Sequence, residues 1–235
     1  MSSVHPSVGK PMSYRLAIGN KNTSSWSLRP WLAMRHAGIA FEEINISLRQ
    51  ADTKAQILRH SPSGKVPALL IDDDAGRDGF VVWDTLAILE YLAEAHPEAR
   101  LWPSQRPARA HARAVSAEMH SGFQQLREHC PMDFVARTPR DQLADAVAAD
   151  VRRIVAIWRD CRRRFGSGGA YLFGDFTAAD AMYAPVASRF RTYVPDLTTY
   201  GDDGTAAAYV AAVFADPAML EWQGAATAEV TSAIR

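Results

Sequence analysis

The chain changes character near residue 97, and this change constrains the fold more than any other feature of the sequence. Before it, short apolar runs such as 14–18 and 66–71 alternate with helical patterns in the order βαβαββα. The run at 80–83 follows an acidic, glycine-containing turn and is predicted to form a hairpin with 66–71. After the change near residue 97, the apolar residues keep helical spacing to the end of the chain. We therefore predict an α/β domain over 13–96 and an all-helical domain over 108–235.

The segment between these two domains, 97–107, is predicted to be a connector. It contains Pro97, Pro103 and Pro107, and proline interrupts regular structure because it lacks a backbone N–H. Residues 1–12 are polar and show no periodicity, so we expect a loose arm that carries no chemistry. A chain of 235 residues is long enough for two such domains with buried cores.

Charge and cysteine content narrow the choice of ligand. The 26 basic and 26 acidic side chains cancel, which disfavours a nucleic acid or an anionic membrane as the partner. No apolar run approaches the ~20 residues of a membrane span. The two cysteines, Cys130 and Cys161, have no metal-ligand spacing. We predict a cytoplasmic protein with a small-molecule ligand and no metal.

Four local sequences carry a family resemblance. They are SSWSLR at 24–29, SPSGKVPAL at 61–69, WDTLAILEYL at 83–92 and FTAAD at 176–180. The last also predicts a capping box at a helix start, with Thr177 as the cap and Asp180 reaching back to the Thr177 amide. In this order the four sequences resemble the cytosolic glutathione transferases, and the first is similar to the serine-type, zeta-like branch that includes maleylacetoacetate isomerases. The resemblance implies an α/β thioredoxin-like N-terminal domain, an all-α helical-bundle C-terminal domain, glutathione as co-substrate and a homodimer.

The first motif implies how the glutathione thiol is activated. A free thiol has a pKa near 8.5, so only a few per cent is ionised at neutral pH. Lowering that pKa by two units takes about 2.7 kcal/mol, which a charge-assisted hydrogen bond of ~1.5–3 kcal/mol and a helix-end contribution of up to ~1 kcal/mol can supply. The resemblance gives this role to Ser24, with Ser25 the next candidate. Ser27 is expected to cap the helix that Pro30 helps to start.

Two other chemistries of the superfamily fit this sequence poorly. No cysteine lies in the first domain, which disfavours a disulfide-exchanging enzyme. Tyr14 lies at the start of the first strand rather than at its end, so we predict a packed strand residue. A single serine taken alone is more typical of a turn or a helix cap, and only the surrounding motif favours catalysis.

The second and third motifs imply the site for the tripeptide. The Val66–Pro67 bond is expected to be cis, with the backbone of Val66 paired to the cysteinyl part of glutathione; a trans proline at a strand start is the alternative. Asp84 and Thr85 open the next helix, where the amides and the Thr85 hydroxyl would hold the γ-glutamyl carboxylate and Asp84 the ammonium. Asp84 is one methylene shorter than the Glu or Gln usual in the family, and it can also be a plain N-cap.

Three basic side chains in the first domain have two possible roles each. Lys54 and Lys65 are candidates for the glycyl carboxylate of glutathione, with solvent as the alternative, above all for Lys54. Arg29 matches an arginine of the family, and either a buried ion pair or a ligand contact would explain it.

The electrophile pocket is expected between the two domains, along the first long helix of the second half. Its predicted lining residues are Met119, His120, Phe123 and Arg127. For Phe123 a place in the core is the alternative, and for His120 it is solvent.

The predicted function is transfer of glutathione to a small electrophile. A glutathione-dependent cis-trans isomerase of a maleylacetoacetate-like diacid would share the same thiolate, with Arg113 or Arg127 as the cation for the diacid. A glutathione carrier without catalysis is the third alternative, because a fold does not fix a function.

Overall fold

The computed structural model describes residues 13–72 and 78–233. The predicted arm over 1–12 lies outside these ranges. Seven elements form the N-terminal part in the predicted order βαβαββα: β1 Tyr14–Ile18, α1 Ser25–His36, β2 Glu42–Asn45, α2 Thr53–Leu58, β3 Ala68–Asp72, β4 Asp78–Trp83 and α3 Thr85–Ala95.

The four strands form one mixed sheet in the order β2-β1-β3-β4. β1 runs parallel to β2, with Leu16 opposite Glu43, and antiparallel to β3, with Leu16 opposite Leu69. β3 and β4 are the predicted antiparallel hairpin. Leu16 and Leu69 are fully buried, so the sheet packs one face against helices. This arrangement confirms the predicted thioredoxin-like domain.

The second half is helical, as predicted. Its helices are α4 Arg106–Ser121, α5 Gln124–His129, α6 Asp145–Phe165, α7 Ala178–Tyr193, α8 Thr205–Ala215 and α9 Pro217–Ala233. Two short 3₁₀ segments precede α4 and α8, namely Pro97–Ala99 and Thr198–Tyr200. α7 is buried along almost its whole length and packs against α1, α4 and α8. Within the described ranges, no helix has the length and apolar character that crossing a membrane requires.

The predicted capping box at the start of α7 is present. The Thr177 backbone N–H donates to Asp180 Oδ2 at 2.8 Å, and the Thr177 hydroxyl donates to the same oxygen at 2.9 Å. The other carboxylate oxygen accepts from the backbone N–H of Leu172 at 3.0 Å. Asp180 therefore satisfies buried donors that would otherwise lose water without a partner.

The connector between the two halves is packed against the helices. Leu101 and Trp102 are buried, and the Leu101 carbonyl accepts from the backbone N–H of Ala178 at 2.7 Å. α4 begins at Arg106, inside the predicted connector, with Pro107 in its first turn where no N–H is needed. One apolar core continues from Leu16 in the sheet to the helical half, so the two halves share buried surface.

Candidate active site

The loop after β1 ends in a turn that starts α1 at Ser25. The backbone N–H groups of Thr23 and Ser24 both donate to the Asn20 carbonyl, at 3.2 and 2.8 Å. Ser24 is the N-cap residue, with φ −87° and ψ 86°. The expectation that Ser27 caps this helix is wrong, because the closed turn makes Ser24 the N-cap, three residues earlier.

Pro30 lies inside α1 and does not start it. A proline has no N–H to give to the carbonyl four residues before it, which here belongs to Trp26. The hydroxyl of Thr85 donates to that carbonyl at 3.4 Å. Because of Pro30, the Trp26 carbonyl is available as an acceptor, and α1 contacts the start of α3 through it. The Thr85 hydroxyl is therefore bonded to Trp26 and is not available to a ligand.

A short chain of hydrogen bonds ends at Ser24. Its Oγ lies 2.7 Å from Ser27 Oγ, and Ser27 Oγ accepts from the backbone N–H of Gly19 at 3.0 Å. Ser24 is 6% exposed, Ser25 is 7% exposed and Ser27 is fully buried. Both candidate serines therefore lie at the positive end of α1 with little competing water.

A cavity of about 590 Å³ brings together six of the predicted site residues. These are Lys65, Val66, Pro67, Asp84, Thr85 and His120. The Val66–Pro67 peptide bond is cis, as predicted. Trp26, the neighbour of Ser25, also lines the cavity, whereas Ser24 and Ser25 are not among its lining residues. The two candidate serines therefore lie behind the Trp26 wall of the cavity, next to it in the chain.

Asp84 caps α3 with one carboxylate oxygen and contacts His120 with the other. One carboxylate oxygen, Oδ1, accepts from the backbone N–H groups of Leu86 and Ala87 at 2.9 and 3.5 Å, which makes Asp84 the N-cap of α3. The other, Oδ2, lies 3.2 Å from His120 Nε2. The backbone of Asp84 has φ 76° and ψ 138°. Such a conformation costs about 1–3 kcal/mol and is concentrated at functional sites.

His120 closes the cavity from the helical side. It lies on α4, and its ring meets the Trp26 ring edge-on at a centroid distance of 5.2 Å. Together with the contact to Asp84, this makes His120 a bridge between α4 and the starts of α1 and α3. The cavity therefore lies between the N-terminal domain and α4.

Comparison with known proteins agrees with this geometry. The family model for the glutathione S-transferase N-terminal domain matches residues 23–95, and the model for the C-terminal domain matches residues 141–223. A maleylacetoacetate isomerase of Rattus norvegicus is 30% identical over 199 residues, which cover 82% of this chain and 83% of the relative. The chain belongs to the glutathione S-transferase family.

Two further relatives of this transferase-family chain support the predicted zeta-like resemblance. A zeta-class glutathione S-transferase of Euphorbia esula is 28% identical over 130 residues, 55% of each chain. A crystal structure of maleylacetoacetate isomerase from Anaeromyxobacter dehalogenans, with GSH bound in its active site, superposes with a TM-score of 0.60. It is 25% identical, and the match covers 90% of this chain and 94% of that one.

Trp26 is a site residue that the sequence reasoning missed. The guanidinium carbon of Arg29 lies 4.3 Å from the Trp26 ring centroid, and that of Arg127 lies 5.0 Å away. The motif that carries the family resemblance includes Trp26 only as a variable position, so nothing in it marked this residue. Trp26 is therefore the wall between the cavity and two arginines, the buried Arg29 and the half-buried Arg127.

Arg29 is fully buried and does not form the ion pair that was one of its two predicted roles. Its Nε donates to the Met182 carbonyl at 3.1 Å, and within the described residues no carboxylate forms a salt bridge with it. Burial lowers the pKa of Arg29 well below its ordinary value, and repulsion from Arg127 and Arg189 lowers it further. Contact with Trp26 and Met182 thus fixes Arg29 as part of the support beneath the cavity.

The structure does not bring the other predicted pocket residues to the cavity. Met119 is fully buried and Phe123 is 7% exposed, and both lie in the shared core. The Arg127 guanidinium donates to the carbonyls of Gly122 and Met119 at the end of α4, the former at 2.9 Å. Burial lowers the pKa of Arg127. These residues support α4, and His120 alone of the four lines the cavity.

The two candidate lysines differ in position. Lys65 lines the cavity. Lys54 lies on α2, where its Nζ donates to the Gly64 carbonyl at 3.4 Å. The structure therefore places Lys65, and not Lys54, at the cavity wall.

Other regions show no competing centre in the part of the chain that the structure describes. A larger cavity, about 770 Å³, lies between the end of α1, the connector and the α6–α7 loop, and none of the predicted site residues lines it. Across residues 13–72 and 78–233 no group of three His, Cys, Asp or Glu side chains is arranged to hold a metal.

Proposed function

We propose that this chain is a serine-type glutathione transferase that holds glutathione in the cavity between α1, α3 and α4. In this proposal the Ser24 hydroxyl donates to the glutathione sulfur and keeps it anionic for attack on a small electrophile. The observation that carries the proposal is the hydrogen-bond chain from Gly19 through Ser27 to Ser24.

This chain of hydrogen bonds supports Ser24 as the donor because it leaves the Ser24 proton free. Ser27 Oγ already accepts from the backbone N–H of Gly19, so its own proton is available for Ser24 Oγ. When Ser27 donates, the Ser24 proton can point at a sulfur anion. The positive end of α1 stabilises the same charge. Ser25, the first residue of α1, remains the second candidate.

Glutathione is expected to lie along the cavity wall. The Val66 backbone would pair with the cysteinyl unit, and the start of α3 at Thr85 would hold the γ-glutamyl carboxylate. Asp84 would take the ammonium, since its Oδ2 faces the cavity beside His120. Lys65 would face the glycyl carboxylate. Contact with the cavity supports each of these assignments.

Isomerisation of a maleylacetoacetate-like diacid is the second candidate function. It is favoured by the relatives, because those of Rattus norvegicus and Anaeromyxobacter dehalogenans bear the name of that isomerase. The predicted cations for the diacid are otherwise engaged, however. Arg113 makes two hydrogen bonds of 2.9 Å to Glu90, and Arg127 donates to carbonyls at the end of α4. Turnover of maleylacetone against chlorodinitrobenzene, each with glutathione, separates isomerisation from conjugation.

A single variant separates an enzyme from a carrier. Ser24→Ala is expected to bind glutathione and to lose most turnover of both substrates, because the hydroxyl acts on the sulfur and not on the rest of the tripeptide. Equal turnover by the wild type and the variant would contradict the serine mechanism. If the wild type binds glutathione in calorimetry but turns over neither substrate, the carrier function is the one that remains.

We also propose a homodimer and a cytoplasmic location. The edge strand β4 exposes two aromatic side chains, Phe80 at 51% and Trp83 at 47%, of which Trp83 also lines the cavity. Aromatic residues are enriched at protein interfaces. Both cysteines are buried free thiols, in agreement with a reducing compartment. Light scattering after size exclusion tests the dimer, with a monomer at micromolar concentration as the contradicting result.

A further inference from the structure

The loop that carries Ser24 is fastened to the helical domain at Asn22. The side-chain Nδ2 of Asn22 donates to Asp133 Oδ1 at 3.0 Å, and its Oδ1 accepts from the backbone N–H of Val135 at 3.0 Å. The Asn22 carbonyl accepts from the backbone N–H of Phe134, also at 3.0 Å. The side-chain amide and the backbone carbonyl of Asn22 thus all bond to the segment 133–135, more than a hundred positions further along the chain.

That segment is itself held in place by α7. The Thr192 hydroxyl donates to the Asp133 carbonyl at 3.0 Å, and Arg191 Nη2 donates to the Phe134 carbonyl at 3.1 Å. Phe134 is fully buried. Asp133 Oδ1 also accepts from the backbone N–H of Ala136 at 3.2 Å. Asn22 is therefore bonded to a fixed part of the helical domain.

Ser24 follows Asn22 by two residues, and the turn between them is closed. The backbone N–H of Ser24 donates to the Asn20 carbonyl at 2.8 Å, so the turn moves as a unit. Two residues span at most about 7 Å of chain. A displacement of Asn22 must therefore reach Ser24, which has no room to absorb it because it is 6% exposed.

We propose that Asn22 is a positioning residue through which the helical domain sets the place of the Ser24 hydroxyl. This inference rests on the proposed role of Ser24 in holding the thiolate. Hydrogen bonds act only over a few tenths of an ångström and a limited range of angles, so a small shift of the turn weakens the bond from Ser24 to sulfur. The helical domain then affects catalysis without contacting the sulfur.

The bonding pattern offers a pair of substitutions that break and restore it. Asn22→Asp places a second carboxylate against Asp133, so the bond becomes a repulsion. Adding Asp133→Asn reverses the donor and the acceptor. The new asparagine donates to the new carboxylate, which still accepts from Val135. Because Asp133 Oδ1 accepts from both Asn22 and the backbone N–H of Ala136, the Ala136 N–H loses this acceptor in the double variant. The double variant thus restores the bond between the two side chains with the same total charge.

The readout is the pKa of the bound glutathione thiol, followed by thiolate absorbance against pH. For Asn22→Asp we expect this pKa to rise by about 1 unit, a tenfold loss of thiolate below the pKa. We expect the double variant to reverse most of this rise. Asn22→Ala, which keeps the backbone bond to Phe134, should give a smaller rise and serves if the Asn22→Asp variant does not fold.

A remote variant controls for lower stability alone. Asp202→Ala removes the carboxylate that accepts from the N–H groups of Ala206 and Ala207 at the start of α8, and it should leave the thiol pKa unchanged. An unchanged pKa in both Asn22 variants, a rise in Asp202→Ala as large as theirs, or a double variant that does not recover would overturn the inference.

A parallel Ser24→Ala titration distinguishes failure of this inference from failure of the proposed function. If that variant leaves the thiol pKa at the wild-type value, the role of Ser24 is wrong and the Asn22 inference fails with it. If it raises the pKa and the Asn22 variants do not, only the inference about Asn22 fails.

Discussion

Ser27 offers the sharpest test of how the serine end of α1 works. Ser27→Ala removes the acceptor of the buried Gly19 N–H and the hydroxyl that lies 2.7 Å from Ser24 Oγ. The first loss leaves a buried donor without a partner, which costs about 1–3 kcal/mol of unfolding free energy. The second removes a neutral hydrogen bond of about 0.5–1.5 kcal/mol from Ser24. At about 1.36 kcal/mol per pKa unit, the bound thiol pKa should rise by about 0.4–1.1 units.

Two measurements check these magnitudes for Ser27→Ala. Urea denaturation gives the loss of unfolding free energy, and thiolate absorbance against pH gives the thiol pKa. Ser188→Ala is the matched control, because the Ser188 hydroxyl is equally buried and has no hydrogen-bond partner among the residues that the structure describes. Its removal should be neutral or stabilising and should leave the thiol pKa unchanged. The reasoning is refuted if Ser27→Ala and Ser188→Ala behave alike in both measurements.

Two further predictions concern Asp84 at the cavity wall and Glu43 on β2, which pairs with Lys21 in the loop before α1. Asp84→Asn should keep the cap on α3 through its amide oxygen and weaken glutathione binding, whereas Asp84→Ala should also lose about 1 kcal/mol of stability. Calorimetry measures the affinity for glutathione, and thermal unfolding measures the stability. Unchanged affinity in both variants would count against a contact between Asp84 and the ammonium group. Burial raises the pKa of Glu43, but hydrogen bonds from Lys21 and Trp31 outweigh it and lower the net pKa. Its stabilisation is therefore present above the ordinary value of 4.5 and is lost as pH falls through the lowered pKa. When the free energy of unfolding is plotted against pH, Glu43→Gln should lose stability less steeply at acid pH than the wild type does. An equally steep loss in the variant would contradict the stabilising role of the Glu43 carboxylate.

Local pattern was enough to predict the order of elements. The hairpin and the capping box at Thr177 each follow from residues that are close in sequence. The cis Val66–Pro67 bond was expected only from the family resemblance. The change at the connector was visible in the sequence itself, because strands and helices repeat their apolar residues with different periods. The grouping of Lys65, Asp84 and His120 followed only from the resemblance, since they are distant in sequence.

The features that sequence did not reveal depend on contacts between distant residues. The helix start at Ser25 depends on how the turn closes on Asn20, and a preference for serine or proline at one position does not report that closure. Met119 and Phe123 share a helical face with the same spacing whether that face meets a ligand or the core. Asn22 finds its partners more than a hundred residues away.

The most direct test of the account is the titration of glutathione bound to the wild type and to the Ser24→Ala and Ser25→Ala variants. In the wild type we expect the pKa of the bound thiol to lie below that of free glutathione. In Ser24→Ala it should return by about 1–2 units toward the free value, because a charge-assisted bond is lost. In Ser25→Ala it should change little. A wild-type value equal to that of free glutathione, with the tripeptide demonstrably bound, would contradict it.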